Sequence, residues 1–431
     1  MFLSTSCCVA QSKNIVTETL QAPTSSSTPT APPKKELKIG FVTFLSGPAA
    51  APFGIPAKNG ALAIADYINR TGGILGAKVV LDIRDEAGGP NQMVSLYRDV
   101  AQTDDVYVGL ISSADCLAVA PVAEELKSTL TIFFDCATQQ LVDKNMMKYV
   151  TFRTGSSTTM DVAAAVQYIL EKAPDIKTVA GLNQDYAYGR DNWNDFINIL
   201  QAVKPDVQIL DSLFTPLFTS DYSAQIAKLK GYKPDLFMTS LWGGDLVNFL
   251  QQALATGFFN SVKYAVFIRG EAGLPALGSA MPDGLFIQAP NYFLLPDPRF
   301  YQLNADFINL YKSIAGSYPI YPAYHAANAI MAVKFAYEAA AAVYGVQWPD
   351  LSQVIKVFER LAFLTPYGWI SMRPNHQAAK GVVMGTTQSS PKFAFKILSD
   401  KRFYPAAEIT PPTGMTSSDW INYIKSYAGL A

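Results

Sequence analysis

Six loops that follow short apolar runs carry the side chains that could do chemistry in this chain. They read FLSGPAAAPFG, GLISSADC, FFDCATQQ, NQDYAYGR, SLWGGD and IRGEAG. Paired carboxylates can perform acid–base chemistry, and these loops hold the candidates Asp135, Asp185, Asp245 and Glu271. No partner motif accompanies them, and acidic groups after strands more often cap helices or bind ligands. Binding is therefore favoured over catalysis, and a hydrolase that uses these carboxylates is the minority alternative.

The first loop has the strand, loop and helix order of a phosphate-binding turn, but not its residues. It lacks both G-x-G-x-x-G and the Gly-Lys-Ser/Thr of a Walker loop. Its prolines, Pro48, Pro52 and Pro56, have no N–H to donate to a phosphate. The histidines His325 and His376 are not at metal-ligand spacing, and no G-x-S-x-G elbow is present. The sequence thus predicts a protein that is not an enzyme and that uses neither cofactor nor metal, with His325 packed in a helix.

The elements that must position these loops occur in two series. The runs KIGFVTF, KVVLDIRDE, VYVGLIS and LTIFF alternate with helical stretches at 56–69, 91–102 and 117–127. A second series contains TVAGLNQ, VQILDSLF, DLFMTSLW and YAVFIRG. Strands that are apolar on both faces and separated by single helices indicate parallel sheets covered on both sides. Ligands of such sheets bind beyond the carboxyl ends of the strands, where the six loops lie.

This pattern predicts an α/β fold with two doubly wound parallel-sheet lobes, joined by a hinge of several crossovers. Lobe one is expected to comprise 37–153 plus about 284–365, and lobe two 154–283 plus about 366–431. The run GLFIQAPNYF and the alanine-rich helix at 321–344 are expected to return to lobe one, and FLTPYGWISMRP to cross back. The cleft between the lobes is the predicted binding site.

Composition restricts the partners. The chain has 431 residues, 49% of them hydrophobic, with 34 Lys plus Arg against 35 Asp plus Glu and a net charge of -1. No positive field recruits nucleic acid or an acidic membrane surface, so a small molecule is the expected partner. No apolar run reaches the roughly 18 residues that span a bilayer.

The first 36 residues differ from the rest. The stretch TETLQAPTSSSTPTAPPKKE has almost no large apolar side chains and predicts a flexible tether. In MFLSTSCCVAQ, small residues precede Cys7 and Cys8 as at a bacterial lipoprotein cleavage site, although the upstream basic and apolar regions are missing. We interpret this terminus as a signal remnant with Cys7 as the lipidation candidate, and the alternative is a pair of incidental cysteines.

From Leu37 to Tyr367 the order and spacing of the motifs resemble the periplasmic substrate-binding proteins of ABC importers, in their branched-chain amino-acid and amide group. The resemblance rests on LKIGFVTFLSGPAA, NGALAIADYINRTGGILG, GLISSADCLAVAPVAEEL, LNQDYAYGRDNWNDF and FTSDYSAQIAKLKGYKPDLFMTSLWGGDLVNFLQQA. It implies a two-lobed Venus-flytrap fold that closes on a small solute and delivers it to a membrane permease. It also implies an extracytoplasmic, lipid-anchored and monomeric protein.

The resemblance carries ligand-binding positions onto the first lobe. Ser113 of SSAD matches the serine that binds a ligand carboxylate, and Ala114 lies where a helix start presents N–H groups to an anion. The alternative is that Ser112 and Ser113 simply cap that helix. Phe53 matches an aromatic wall of the side-chain pocket.

The next loop, DCATQQ, contributes two further positions. Cys136, by its backbone, and Thr138, by its hydroxyl, match groups beside the ammonium or carboxylate of the ligand. The register of this loop can shift by one residue, which makes Ala137 the alternative to Thr138. Cys116 and Cys136 follow adjacent strands and are candidates for a disulfide, with two buried free thiols as the alternative.

In the second lobe the resemblance points to three positions. Tyr188 matches the aromatic residue that closes over the ligand, Trp242 takes an equivalent place, and Glu271 matches the acid that receives an ammonium. The two aromatics could instead serve lobe packing. Asp115 and the size of Trp242 depart from the family pattern, so the expected ligand is an amino acid with an unusual side chain, an amide or an aromatic acid.

The sequence as a whole predicts the solute receptor of an ABC importer. A ligand-sensing receptor or regulator of the same fold remains the alternative, although the tether argues against a cytoplasmic sensor. The closed form is what a permease is expected to recognise.

Overall fold

The computed structural model describes residues 34–427. The predicted tether and the lipidation candidate Cys7 lie outside these residues. The strands are β1 (Glu36–Thr43), β2 (Lys78–Asp85), β3 (Val106–Gly109), β4 (Leu130–Phe133), β5 (Thr151–Arg153), β6 (Thr178–Gln184), β7 (Gln208–Thr215), β8 (Leu236–Thr239), β9 (Tyr264–Phe267), β10 (Phe286–Ala289), β11 (Ala362–Thr365), β12 (Gly368–Met372), β13 (Ala378–Ala379), β14 (Val382–Gln388) and β15 (Ile397–Tyr404). The helices are α1 (Ile55–Arg70), α2 (Pro90–Thr103), α3 (Ser113–Leu126), α4 (Gln140–Asp143), α5 (Thr158–Lys172), α6 (Ala187–Val203), α7 (Ser223–Tyr232), α8 (Gly243–Ala255), α9 (Gly273–Leu277), α10 (Gln302–Ala315), α11 (Tyr321–Tyr344), α12 (Leu351–Phe358), α13 (Ala406–Ile409) and α14 (Ser417–Tyr427).

Lobe one is built on a parallel five-stranded sheet in the order β2-β1-β3-β4-β5. Its central strands are apolar on both faces because helices cover both faces; β3 and β4 are buried along their whole length. Helices α10 and α11 return to this lobe late in the chain and pack on α1, and α12 packs on α11. The alternating strands and helices predicted for this lobe are confirmed.

Lobe two is built on a seven-stranded sheet in the order β15-β14-β10-β9-β8-β6-β7. Its β6 to β10 portion is parallel, and β14 and β15 add an antiparallel edge. One boundary differs from the prediction. The run that contains β10 was expected in lobe one from about 284, but β10 pairs with β9 and β14 in the second sheet. The chain therefore returns to lobe one only after β10.

Three connections join the lobes. They follow β5, follow β10, and precede β14 through a small sheet of β11, β12 and β13. The connections after β5 and before β14 lie side by side. Arg153 N donates to His376 O at 2.9 Å, and Arg153 forms an isolated β-bridge with Gln377. The predicted crossover near FLTPYGWISMRP thus contains a sheet of its own.

Helix α11 is the core element of lobe one. It has 24 residues, and its most apolar window has a mean hydropathy of 1.2. Among residues 34–427 it alone has the length and composition of a membrane span, but 67% of that window is buried inside the protein. It packs so closely on α1 that Gly60 has no room for a side chain. A Cβ at this position would lie 2.3 Å from the Ala323 carbonyl oxygen. This burial identifies α11 as a core helix whose first residues, Tyr321 and His325, reach the cleft region.

Candidate functional site

The carboxyl ends of the strands in both lobes meet at a narrow cleft. Its walls comprise Phe53, Ile111, Asp135, Ala137 and Tyr321 from lobe one and Tyr186, Tyr188, Trp242 and Arg269 from lobe two. The free space is about 10 Å³, which is about the room that one water molecule needs. The lobes are therefore closed against each other in this conformation.

Aromatic rings from both lobes form most of these walls. The ring centroids of Phe53 lie 5.3 Å from Trp242 and 5.4 Å from Tyr321, both in edge-on geometry. Trp242 Nε1 donates to the Tyr186 hydroxyl at 2.8 Å. The Tyr188 hydroxyl is buried and has no hydrogen-bond partner among the described residues. The cleft therefore presents flat apolar surfaces with a polar group at the Tyr188 end.

Local backbone constraints place the first of these rings. The opening loop tightens into one turn at Ala50–Gly54 before α1. A Cβ on Gly54 would lie 1.7 Å from the Phe44 carbonyl oxygen, so only glycine fits at this close approach. The turn leaves Phe53 only 1% exposed and directs it into the cleft wall. The loop thus offers an aromatic wall, as the sequence predicts.

An ion pair crosses the cleft between the lobes. Arg269 Nη1, after β9, donates to Asp135 Oδ1 at 2.9 Å and to the Asp135 carbonyl at 2.7 Å. Its Nε donates to Asp161 Oδ2 at 2.7 Å, and its Nη2 to the Ser156 carbonyl at 2.8 Å. Burial by itself lowers the pKa of Arg269, but attraction to Asp161 and Asp135 outweighs it and raises that pKa. Arg269 therefore remains a cation within the cleft.

Asp135 is the acidic partner in this pair and retains one free oxygen. Burial raises the pKa of Asp135 to about 6, although Arg269 and Lys380 act in the opposite direction. At neutral pH the carboxylate is therefore mostly ionised. Its Oδ2 is buried without a hydrogen-bond partner among the described residues. A ligand that donates a hydrogen bond can satisfy this oxygen.

A chain of buried side chains connects Asp135 with the lobe connections. His325 Nδ1 lies 2.6 Å from Asp135 Oδ1, and Lys380 Nζ lies 2.9 Å from His325 Nε2 and 2.6 Å from Asn291 Oδ1. Because the ionised Asp135 carboxylate can only accept, we assign the His325 proton to Nδ1, facing Asp135, which leaves Nε2 to accept from Lys380. Burial and then Lys380 lower the pKa of His325 well below its usual value. His325 is thus a neutral, fully bonded residue.

Ser113 and Thr138 lie beside the cleft and hold its lobe-one side together. The Ser113 hydroxyl accepts hydrogen bonds from Ala137 N at 3.2 Å and Thr138 N at 3.1 Å. The Thr138 hydroxyl donates to Asp191 on α6 of the other lobe. Ala114 is half-buried, and of these residues only the alternative Ala137 lies in the cleft wall. Ligand contact by Ser113, Ala114 and Thr138 stays a prediction.

The candidate disulfide, rather than two free thiols, is present. Cys116 and Cys136 are bridged, with 6.6 Å between their Cα atoms. Cys136 directly follows Asp135, so the bridge fixes the loop that carries the cleft carboxylate to helix α3. A ligand contact through the Cys136 backbone stays a prediction.

Glu86 was missed by the sequence interpretation. Its carboxylate accepts from Ile111 N at 2.8 Å and from Ser112 N at 2.7 Å, just before helix α3. Burial and then Asp115 raise the pKa of Glu86 well above its usual value. The Glu86 carboxylate thus accepts from the N–H groups of Ile111 and Ser112, which directly precede the predicted anion site at Ser113 and Ala114. The signal in the sequence was the acidic pair at the end of KVVLDIRDE.

Glu271 is not in the cleft wall. It is 1% exposed, and its Oε2 accepts a hydrogen bond from Tyr321 N at 2.7 Å. Arg269, two residues earlier, adopts a left-handed backbone with φ of 53° and turns into the cleft instead. The structure thus brings together Phe53, Tyr188 and Trp242 and places Glu271 elsewhere. A cation, Arg269, faces the cleft where an acid was predicted.

Comparison with known proteins supports this architecture. Residues 36–391 match the family model described as "Periplasmic binding protein". The chain is 32% identical over 202 residues to the Leu/Ile/Val-binding protein BraC3 of Rhizobium johnstonii, and 31% identical over 196 residues to the Leu/Ile/Val-binding protein homolog 3 of Brucella melitensis. These matches cover 47% and 45% of this chain and 53% and 51% of the relatives, so the chain spans about half the length of each.

Solved structures share the fold over nearly their whole length. A solute-binding protein of an ABC transporter from R. palustris, in complex with 4-hydroxybenzoate, superposes with a TM-score of 0.75 at 20% identity, covering 88% of this chain and 99% of that one. A leucine-, isoleucine-, valine-, threonine- and alanine-binding protein from Brucella ovis, in its closed conformation, gives 0.71 at 20% identity, covering 88% and 98%. The chain therefore belongs to the periplasmic binding protein family and has its type I fold of two α/β lobes.

Proposed function

We propose that this protein is the extracytoplasmic solute receptor of an ABC importer, which closes on a small molecule that carries both a carboxylate and a hydrogen-bond donor. The observation that carries the proposal is the Arg269–Asp135 pair across an aromatic cleft. A cation on one lobe and an anion on the other can each bind one end of such a ligand.

The ligand replaces contacts that the two lobes now make with each other. When the lobes separate, Arg269 Nη1 loses the Asp135 carbonyl and Oδ1 and becomes free to bind a carboxylate. Asp135 then has Oδ1 and the unpartnered Oδ2 available for an ammonium or hydroxyl group. The Tyr188 hydroxyl supplies one more donor for the carboxylate. The polar requirements of an α-amino acid or of a hydroxylated acid are met in this way.

The body of the ligand is aromatic or bulky and apolar. Phe53 lies edge-on to Trp242 and to Tyr321, with ring centroids 5.3 and 5.4 Å apart, and flat rings provide contact area for a flat ligand. An aromatic amino acid is the first candidate. A hydroxylated aromatic acid is the second, because the same rings and charges accommodate a phenol hydroxyl on Asp135. The similar proteins include a Leu/Ile/Val-binding protein and a solute-binding protein in complex with 4-hydroxybenzoate, that is, one for amino acids and one with a hydroxylated aromatic acid.

Closure is the signal that the receptor gives. The Arg269–Asp135 pair holds the lobes together without ligand. A ligand stabilises the closed form only to the extent that it binds the closed form more tightly than the open form. The lobe connections after β5, after β10 and before β14 act as the hinge. The closed form is recognised by a membrane permease, the receptor acts as a monomer, and Cys7 anchors it through lipid. The protein performs no turnover.

Native mass spectrometry of freshly purified protein tests the proposal. A single co-purified solute that carries a carboxylate and a donor is expected, and a thermal-shift screen of amino acids, amides and aromatic acids should raise the Tm with the same class. A solute without an anionic group, or chemical conversion of the bound solute, would contradict the proposal.

A further inference from the structure

A second cavity lies beside the cleft and is much larger. It has a volume of about 720 Å³, within the range of small-molecule sites. Its walls share no residue with the cleft walls. Phe53 and Tyr321, whose rings are 5.4 Å apart, lie in the cleft wall, and their chain neighbours Pro52 and Ile320 lie in the wall of the larger cavity. The larger cavity is therefore distinct from the site between Arg269 and Asp135.

One end of this cavity is an aromatic cluster. Phe293, Tyr318, Phe393 and Phe395 contact one another with centroids between 5.1 and 6.2 Å apart. They come from three separate segments, namely the connection after β10, the loop before α11 and the loop between β14 and β15. A wall assembled from three segments is a shaped apolar surface that water wets poorly.

Glu271 lies in the wall of this cavity as an acid without a counterion. It is 1% exposed, its Oε1 has no hydrogen-bond partner, and no cation among residues 34–427 lies within ion-pair distance of it. Burial raises the pKa of Glu271 well above its usual value. Burying a carboxylate costs free energy unless it is paired with a cation. A bound cation would therefore supply the counterion that the described residues do not provide.

We infer that this cavity is a second binding site, for a small apolar amine whose ammonium pairs with Glu271 and whose body packs on the aromatic cluster. Complementary charge argues for this occupant, because Glu271 is the one acid in a wall made mostly of apolar side chains. Lys392 is the other charged wall residue and is exposed at the surface, so it opposes cations at the rim but not at Glu271.

Occupation of this site acts on both lobes. Pro52 and Pro56 of lobe one and Val247 and Leu274 of lobe two contribute to its walls. An amine that contacts all of them binds the closed arrangement better than the open one and stabilises it by that difference. The site is thus placed to modulate closure without entering the cleft.

The test is isothermal titration calorimetry of the full chain with tryptamine, an indole that carries an ammonium and no carboxylate. Tryptophol, with a neutral hydroxyl, and indole-3-propionate, with a carboxylate, have the same ring system. We expect tryptamine to bind, tryptophol to bind at least fivefold more weakly, and indole-3-propionate to give no binding. Glu271→Gln, which keeps an acceptor for Tyr321 N, should weaken tryptamine about tenfold, the typical effect of losing a charge-assisted hydrogen bond.

A filling substitution locates the site. Ala276 is exposed and lies in the cavity wall, and Ala276→Trp should weaken tryptamine at least tenfold by occupying the space. Ala280→Trp, at an exposed position four residues later and outside the wall, is the matched control and should leave affinity within twofold. No heat with tryptamine at millimolar concentration would overturn the inference. Equal affinity of Ala276→Trp and wild type for tryptamine would also overturn it. Neither result would contradict the proposed solute site between Arg269 and Asp135.

Discussion

Arg269 on the loop after β9 and Asp135 on the loop after β4 are joined across the cleft by an ion pair, with 2.9 Å between Nη1 and Oδ1. The pair is almost completely removed from solvent, and a second acid, Asp161, holds Arg269 from its own lobe. Because the two partners belong to different lobes, the pair couples the position of one lobe to that of the other.

Removing one member of this pair should destabilise and open the protein. Arg269→Met leaves Asp135 and Asp161 without their cation, and breaking a buried pair costs about 3 kcal/mol in free energy of unfolding. Urea denaturation measures this loss, and small-angle scattering should show a larger radius of gyration. Arg299→Met, at an ion pair whose arginine side chain is 78% exposed, should change the free energy of unfolding by less than about 0.5 kcal/mol. Equal effects of the two substitutions would refute the role of the pair.

The disulfide should contribute strongly to stability. Cys116 and Cys136 are 20 residues apart in sequence, and closing a loop of this length stabilises by about 3 kcal/mol in the chain-entropy model. Cys116→Ala/Cys136→Ala should therefore lower the free energy of unfolding by about that amount. A reductant should lower the stability of the wild type to the same level and leave the double variant unchanged. A wild type that is insensitive to a reductant under unfolding conditions would count against the bridge.

The pH dependence of stability should report on Lys380. Burial and then Arg269 lower the pKa of Lys380 from 10.5 to about 7. Between these two values the unfolded chain binds a proton that the folded chain has released, so stability rises with pH in this window. The free energy of unfolding of wild type minus that of Lys380→Met should therefore rise between pH 7 and pH 10, by on the order of 3 kcal/mol. A flat or falling difference in urea titrations would show that the lysine titrates normally.

Tryptophan fluorescence should follow closure. Trp242 lies in the cleft wall and is 3% exposed, whereas Trp369 on β12 is 71% exposed. A cleft ligand should change the emission of the wild type, because it displaces the rings around Trp242. Trp242→Phe should abolish this change and Trp369→Phe should retain it. Loss of the signal in Trp369→Phe alone would place the response outside the cleft.

The sequence predicted the repeating strands and helices well, because apolar periodicity is a local signal. It assigned β10 to the wrong lobe, since an apolar run does not reveal which sheet it pairs with. The same limit applies to the site. Phe53, Tyr188 and Trp242 were predicted from the family resemblance of their loops, and the structure places all of them in the cleft wall.

Arg269 and Glu271 show why the rest of the site was not predictable. Both belong to the loop IRGEAG, and either could have faced the cleft. The choice depends on the left-handed backbone at Arg269, a conformation that non-glycine residues adopt only rarely and that the sequence does not announce. Tyr321 was likewise brought to the cleft by long-range packing of α11, whereas Asp135 was already among the candidate carboxylates in the sequence.

The central claim is that the Arg269–Asp135 pair selects a ligand with two complementary polar groups. Isothermal titration calorimetry with L-phenylalanine, 4-hydroxybenzoate, benzoate and phenol tests it most directly. We predict that L-phenylalanine or 4-hydroxybenzoate binds at least tenfold more tightly than benzoate, which lacks the donor for Asp135, and than phenol, which lacks the carboxylate for Arg269. Binding of benzoate or phenol as tight as that of the two bifunctional ligands would contradict the account.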